Sequence, residues 1–146
     1  MQVDFYHLTA TPLDRALPQI AEKVLASGAR LLLVAESEAQ RAALDKLLWT
    51  YNPESFLPHG CAGGEGDADQ PILLTDTPVA TNGARNIALA DGVWRDEALG
   101  FDRAFHFFDG ERIAEARIAW KALADRDGID RRYWKQSDAG RWEQAA

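Results

Sequence analysis

The sequence predicts an α/β fold, a Rossmann-like three-layer sandwich around a largely parallel central sheet, and three observations carry that expectation. Strand-like and helix-like segments alternate along the chain. The run Arg30 to Ala35 is almost continuously apolar, as a parallel strand covered on both faces must be. Turn-forming residues, Gly28, Asn52-Pro53 and Asn82-Gly83, separate the segments. A length of 146 residues suits one domain, 1–146, in which about 128–146 is expected to form a partly irregular C-terminal tail.

The elements follow in order. Val3 to Leu8 has the β-branched and aromatic character of a strand. Thr11-Pro12-Leu13-Asp14 reads as a helix start, with Thr11 as cap and Pro12 at the first helical position. Leu13, Leu17, Ile20, Val24 and Leu25 are spaced for one helix face; Pro18 removes one donor and Gly28 is the stop. After the Arg30–Ala35 strand, Ser37-Glu38-Ala39-Gln40 reads as a capping box opening a helix with Leu44, Leu47 and Leu48 on one side. A Gly- and acid-rich loop, Gly60 to Gln70, leads to a strand at Ile72 to Thr75. Asn86 to Ala90 and Arg103 to Phe107 are further strands, and Glu111 to about Asp127 is a long final helix.

Charge narrows the function. The net charge is −7, yet residues 1–110 carry 8 Lys/Arg against 16 Asp/Glu while residues 111–146 carry 8 against 7. An acidic body repels a polyanion, so strong direct nucleic-acid binding is not expected, whereas a local cationic site can hold an acidic peptide. One cysteine permits no intramolecular disulfide, and Met1 to Phe5 lacks the basic and apolar runs of a signal peptide, so a cytoplasmic location is expected. No apolar stretch approaches the roughly 20 residues of a membrane span.

Nucleotide chemistry finds no support in the strand-to-helix turns. Thr9-Ala10-Thr11-Pro12 has no glycine, and Glu36-Ser37-Glu38 places two carboxylates where phosphate would bind, so no phosphate-binding loop and no cofactor are expected. His59 and Cys61 offer an alternative: a small Cys/His-dependent hydrolase or transferase, against which stands the plainer reading of a loop-bonded imidazole and a half-buried thiol. His7, His59 and His106 are too scattered for a zinc set, and Glu65, Asp67 and Asp69 lack the calcium-loop pattern.

Two segments read as recognition surfaces. Leu48 to His59 gathers Trp49, Tyr51, Phe56 and Leu57 across a helix end and a two-proline loop, which suits either core or a protein interface. On the last helix Ile113, Ala116, Trp120 and Ala124 form a stripe bordered by Arg117 and Lys121 at i, i+4 spacing. That border is either a solvated helix edge or a pocket for an acidic peptide ending in an apolar residue.

Leu48-Trp49 followed by Pro53-Glu54-Ser55-Phe56-Leu57-Pro58-His59 resembles the signature block of the DNA polymerase III chi subunit family. The resemblance extends through the Val-Asp-Phe-Tyr opening, the Ala-Arg-Leu-Leu-Leu-Val and Gln-Pro-Ile-Leu-Leu strands, Asn82-Gly83-Ala84-Arg85 and the Phe-Phe-Asp-Gly entry to the last helix. It implies a Rossmann-like domain without catalysis of its own, an accessory subunit of the replicative polymerase. It further implies a psi subunit, or an equivalent clamp-loader protein, met through Trp49, Phe56 and Leu57. The acidic, Phe-terminated tail of single-stranded DNA-binding protein would be held by Arg117, Trp120 and Lys121. Ile113, one turn earlier, stands where some relatives carry lysine.

Overall fold

A computed structural model describes residues 1–52 and 57–146. The strands are β1 (Gln2–His7), β2 (Leu31–Val34), β3 (His59–Cys61), β4 (Ile72–Thr75), β5 (Asn86–Leu89), β6 (Arg103–Phe108), β7 (Asp130–Gln136) and β8 (Trp142–Gln144). The helices are α1 (Leu13–Ala26), α2 (Glu38–Thr50) and α3 (Ile113–Ala124). The strands make one sheet in the order β3-β4-β2-β5-β6-β1-β7-β8, parallel throughout except for the β7–β8 hairpin.

The three layers follow from side-chain alternation. Successive strand residues point to opposite faces. Leu31 and Leu33 therefore join Tyr6, Leu74 and Phe107 beneath α1 and α2, while Leu32 and Val34 join Val3, Phe5, Leu73 and Phe108 beneath α3. Every residue of β2 is buried, as its apolar run requires, and each such Leu contributes about 1.5–3 kcal/mol on leaving water. Gly28 adopts φ +82 just past α1, a conformation costly for any side chain. Asn82 is buried at the next turn, its amide donating to Leu31 and Gln70 carbonyls at 3.2 and 3.0 Å while Gly83 takes φ +70.

Several local expectations are corrected. Pro12, not Thr11, stands at the N-cap of α1, and among the described residues no side chain caps that helix. Ser37 Oγ does accept from the Gln40 amide at 3.2 Å, but the Gln40 side chain donates to the Ala90 carbonyl at 3.0 Å and so does not close a capping box. The final helix is shorter than expected, a 3-10 turn at Gly110–Arg112 preceding Ile113–Ala124. β3, β7 and β8 go beyond the strands read from sequence: β3 lies where a loop was expected, and β7 lies where a partly irregular tail was expected, running parallel to β1 from Gln2↔Asp130 to Tyr6↔Trp134.

Thr11 has another role. Gln136, the last residue of β7, places its Oε1 where it accepts from the amides of Thr9, Ala10 and Thr11 at 3.2, 3.0 and 2.9 Å, and its Nε2 donates to Thr11 Oγ1 at 2.6 Å. The backbone donors that would greet a phosphate in a nucleotide-binding relative of this architecture are thus taken by the chain's own amide.

His106 sits on β6 with no exposed surface, and among the described residues neither ring nitrogen has a partner. Phe5 and Trp94 meet it edge-on, with centroids 5.3 and 5.5 Å away. Burial lowers its pKa to about 4, against the Asp91 carboxylate, which acts to raise it. The unfolded chain binds this proton near pH 6.5 and the folded chain only near 4, so stability is full above the unfolded value and falls as pH drops between the two. Denaturant unfolding at pH 7.5 and pH 4.5 is expected to show His106 contributing about 2–3 kcal/mol of the loss, a contribution absent from His106→Phe. Gln136→Ala is expected to leave three amides without their acceptor and lower stability by about 1–3 kcal/mol, with amide hydrogen exchange quickening at Thr9 to Thr11.

Candidate protein-interaction site

The buried side of α3 is Ala116, Ala119 and Leu123, with Ile113 and Trp120 half-buried beside it. Ala124, expected in that stripe, is exposed, since the helix axis rolls the apolar arc toward Ala119 and Leu123. Arg117 and Lys121 are exposed on the border next to Trp120, and among the described residues neither enters an ion pair.

Strand β7 enlarges this border. Its odd-numbered residues face α3, so Arg131, Tyr133 and Lys135 come to the same side of the sheet as Trp120. The Arg131 guanidinium lies 4.0 Å from the centre of the Trp120 ring and donates to the Trp120 carbonyl at 2.5 Å. Tyr133 meets Trp120 edge-on at 5.6 Å and His7 at 6.4 Å. Burial lowers the His7 pKa, and the Arg117 and Lys135 cations push it the same way against Asp109. The Tyr133 hydroxyl is pushed up by burial, with Arg117 opposing. Arg117 and Lys135 are therefore both close enough to His7 to be felt by it. Cations from two separate elements flank one aromatic floor, an arrangement able to receive carboxylates beside an apolar side chain.

Of the other cations in this part of the chain, Arg126 and Arg132 are occupied elsewhere. Arg126 approaches Asp96 at 3.5 Å and Arg132 pairs with Asp130 at 3.3 Å.

The second expected surface is divided. Trp49, at the end of α2, is 57% exposed and leans on the His59 ring at 4.8 Å. Leu57 is buried in the core at 2% exposure and presents no side chain to a partner, so it supports this surface only from beneath. Phe56 lies outside the described residues.

His59 and Cys61 have a structural arrangement. The buried imidazole has the Leu57 carbonyl 2.7 Å from Nδ1 and Asp45 Oδ1 2.7 Å from Nε2. Both ring nitrogens face acceptors, which leaves none to take a proton from a thiol. Cys61 is exposed rather than half-buried, and desolvation, then Asp45, raises its pKa, the wrong direction for a nucleophile. Among the described residues no group of three or more His, Cys, Asp or Glu side chains could hold a metal ion. Among the same residues no helix is long and apolar enough to cross a membrane.

Comparison with known proteins identifies the family. The family model described as DNA polymerase III chi subunit, HolC, matches residues 1–129. The DNA polymerase III subunit chi of Pseudomonas aeruginosa is 37% identical over 76 residues, covering 50% of this chain and 52% of that protein. The probable DNA polymerase III subunit chi of Rickettsia prowazekii is 32% identical over 75 residues, 51% of this chain and 46% of the relative. The Escherichia coli DNA polymerase III subunit chi is 30% identical over 77 residues, 53% and 52% respectively. The chain spans about half the length of the curated relatives it matches. With a family match running through all but the last strands, the chain belongs to the DNA polymerase III chi subunit family.

Proposed function

We propose that this chain is a non-catalytic accessory subunit of a DNA polymerase III assembly in replication, an adaptor that carries one partner on each of two surfaces. The α3–β7 face takes the acidic C-terminal tail of single-stranded DNA-binding protein. The Trp49 surface meets a psi subunit or an equivalent clamp-loader protein. The observation that carries the first part is the exposed pair Arg117 and Lys121 beside Trp120, outside any ion pair among the described residues. In an acidic protein such cations are available to another chain's carboxylates. Arg131 and Lys135 add charge from the neighbouring strand.

Two charge-assisted hydrogen bonds of about 1.5–3 kcal/mol each, with an apolar anchor of about 2 kcal/mol, give roughly 5–8 kcal/mol before ordering costs. A dissociation constant of about 1 μM corresponds to about 8 kcal/mol, so micromolar or weaker binding is expected.

Titration calorimetry with an acidic tail peptide ending in phenylalanine tests the first surface. Affinity is expected to fall as salt is added, and Arg117→Ala to reduce it at least about tenfold; binding indifferent to both changes would refute the site. For the second surface, Trp49→Ala is expected to weaken binding of a psi subunit by about 2 kcal/mol, measured on variant protein whose fold is checked by circular dichroism. Equal retention of psi by wild type and variant would place that partner elsewhere.

A further inference from the structure

The face of the sheet opposite α3 carries a groove that the adaptor reading does not use. It runs along α1 as two contiguous hollows of about 180 and 250 Å³ that share Tyr6, Ile20, Lys23 and Arg103. Together they fall within the roughly 300–1,000 Å³ usual for small-ligand sites. The floor is aromatic: Tyr6 stacks on Phe107 at 5.2 Å and Trp134 at 6.2 Å, and meets Trp142 edge-on at 5.2 Å.

Two features make this more than an apolar hollow. Tyr6 is 7% exposed and lines both hollows, yet among the described residues its hydroxyl has no hydrogen-bond partner. Among the described residues only the His106 ring nitrogens are fully buried without a partner, so the Tyr6 oxygen reaches the open hollow and offers an uncommitted donor to whatever enters it. Burial and the neighbouring Asp4 carboxylate push that hydroxyl up to about 12, which keeps it a donor at neutral pH. The second feature is charge. Arg103 gives its Nε to Asp4 at 2.9 Å and lies over the Phe105 ring at 4.6 Å, while Lys23 stands on the α1 side, outside any ion pair among the described residues. Two cations against one paired carboxylate leave the groove locally positive in a chain of net charge −7.

We propose that this groove binds a planar aromatic ring carrying an anionic group. The ring lies against Tyr6, Trp134 and Trp142, the anion is held by Lys23 and the outer nitrogens of Arg103, and the Tyr6 hydroxyl donates to a ligand oxygen. That chemistry is shared by a nucleoside monophosphate and by an aromatic residue with a free carboxylate, so both serve as probes.

The indole N–H resonances of the full ¹⁵N-labelled chain report the outcome, with Trp134 and Trp142 in the groove and Trp120 on the other face. Titration with thymidine monophosphate and with N-acetylphenylalanine is expected to shift the Trp134 and Trp142 signals, leaving Trp120 still, with at least one probe dissociating on the order of 0.1–1 mM. Which probe shifts them identifies the source of the ring. Tyr6→Phe, which removes only the hydroxyl, is expected to weaken that probe about three- to tenfold, and Lys23→Glu about tenfold or more. No groove shift with either probe up to about 10 mM, where a site of that affinity would be filled, would overturn the proposal. So would shifts confined to Trp120, or equal affinity in both variants. The tail-peptide result on α3 is separate, since its variants lie on the opposite face.

Discussion

Asp4 has no exposed surface, and its carboxylate accepts from the Trp134 indole on β7 at 3.0 Å and from the Arg103 guanidinium on β6 at 2.9 Å. A buried carboxylate is tolerable only when its oxygens are satisfied, and here the satisfying groups come from both strands that flank β1. The same bonds that meet that requirement therefore fix β7 against β1. Everything described at the two faces depends on that pairing. It sends Arg131, Tyr133 and Lys135 toward α3 and Trp134 and Gln136 toward α1, and a slip of one residue would exchange the two sets.

The pairing also resolves how an acidic protein presents a basic surface. The cations near Trp120 come from a helix and from a strand that follows it, so they converge in space without forming a run in sequence. Convergence over an aromatic floor holds the guanidinium of Arg131 over the Trp120 ring. In the role proposed above, such a surface would read carboxylates through geometry as well as charge. A duplex, presenting a long regular array of phosphates, would meet the acidic remainder of the molecule.

The fold class was legible because β2 and β4 are apolar on both faces and the caps and turns around them are local. Ser37 and Gly28 act within a few residues of themselves, and Asn82-Gly83 turns the chain locally even though the Asn82 amide reaches Leu31 and Gln70. What escaped the sequence depends on distant partners. Asp-Arg-Arg-Tyr-Trp-Lys-Gln does not look like a strand, since its long side chains bury stems and rings while their charged heads reach water. β3 is three residues long and contains Gly60, where any side chain would press against Gln70, so it has no pattern to detect. Arg117, Lys121 and Trp120 could be placed by helical spacing alone. Their neighbours Arg131, Tyr133 and Lys135 could not, because nothing in that stretch announced that it would lie beside β1.

Gln136 carries a consequence for how such a protein behaves among metabolites. An amide oxygen tethered within its own fold competes for the Thr9 to Thr11 donors at an effective concentration in the millimolar range or above, with no translational entropy left to lose. A free phosphate ester arriving at that end of the sheet must displace an intramolecular rival that never diffuses away. At the customary phosphate turn of this architecture, the donors are held by a group whose local concentration does not vary with the cell's energy charge.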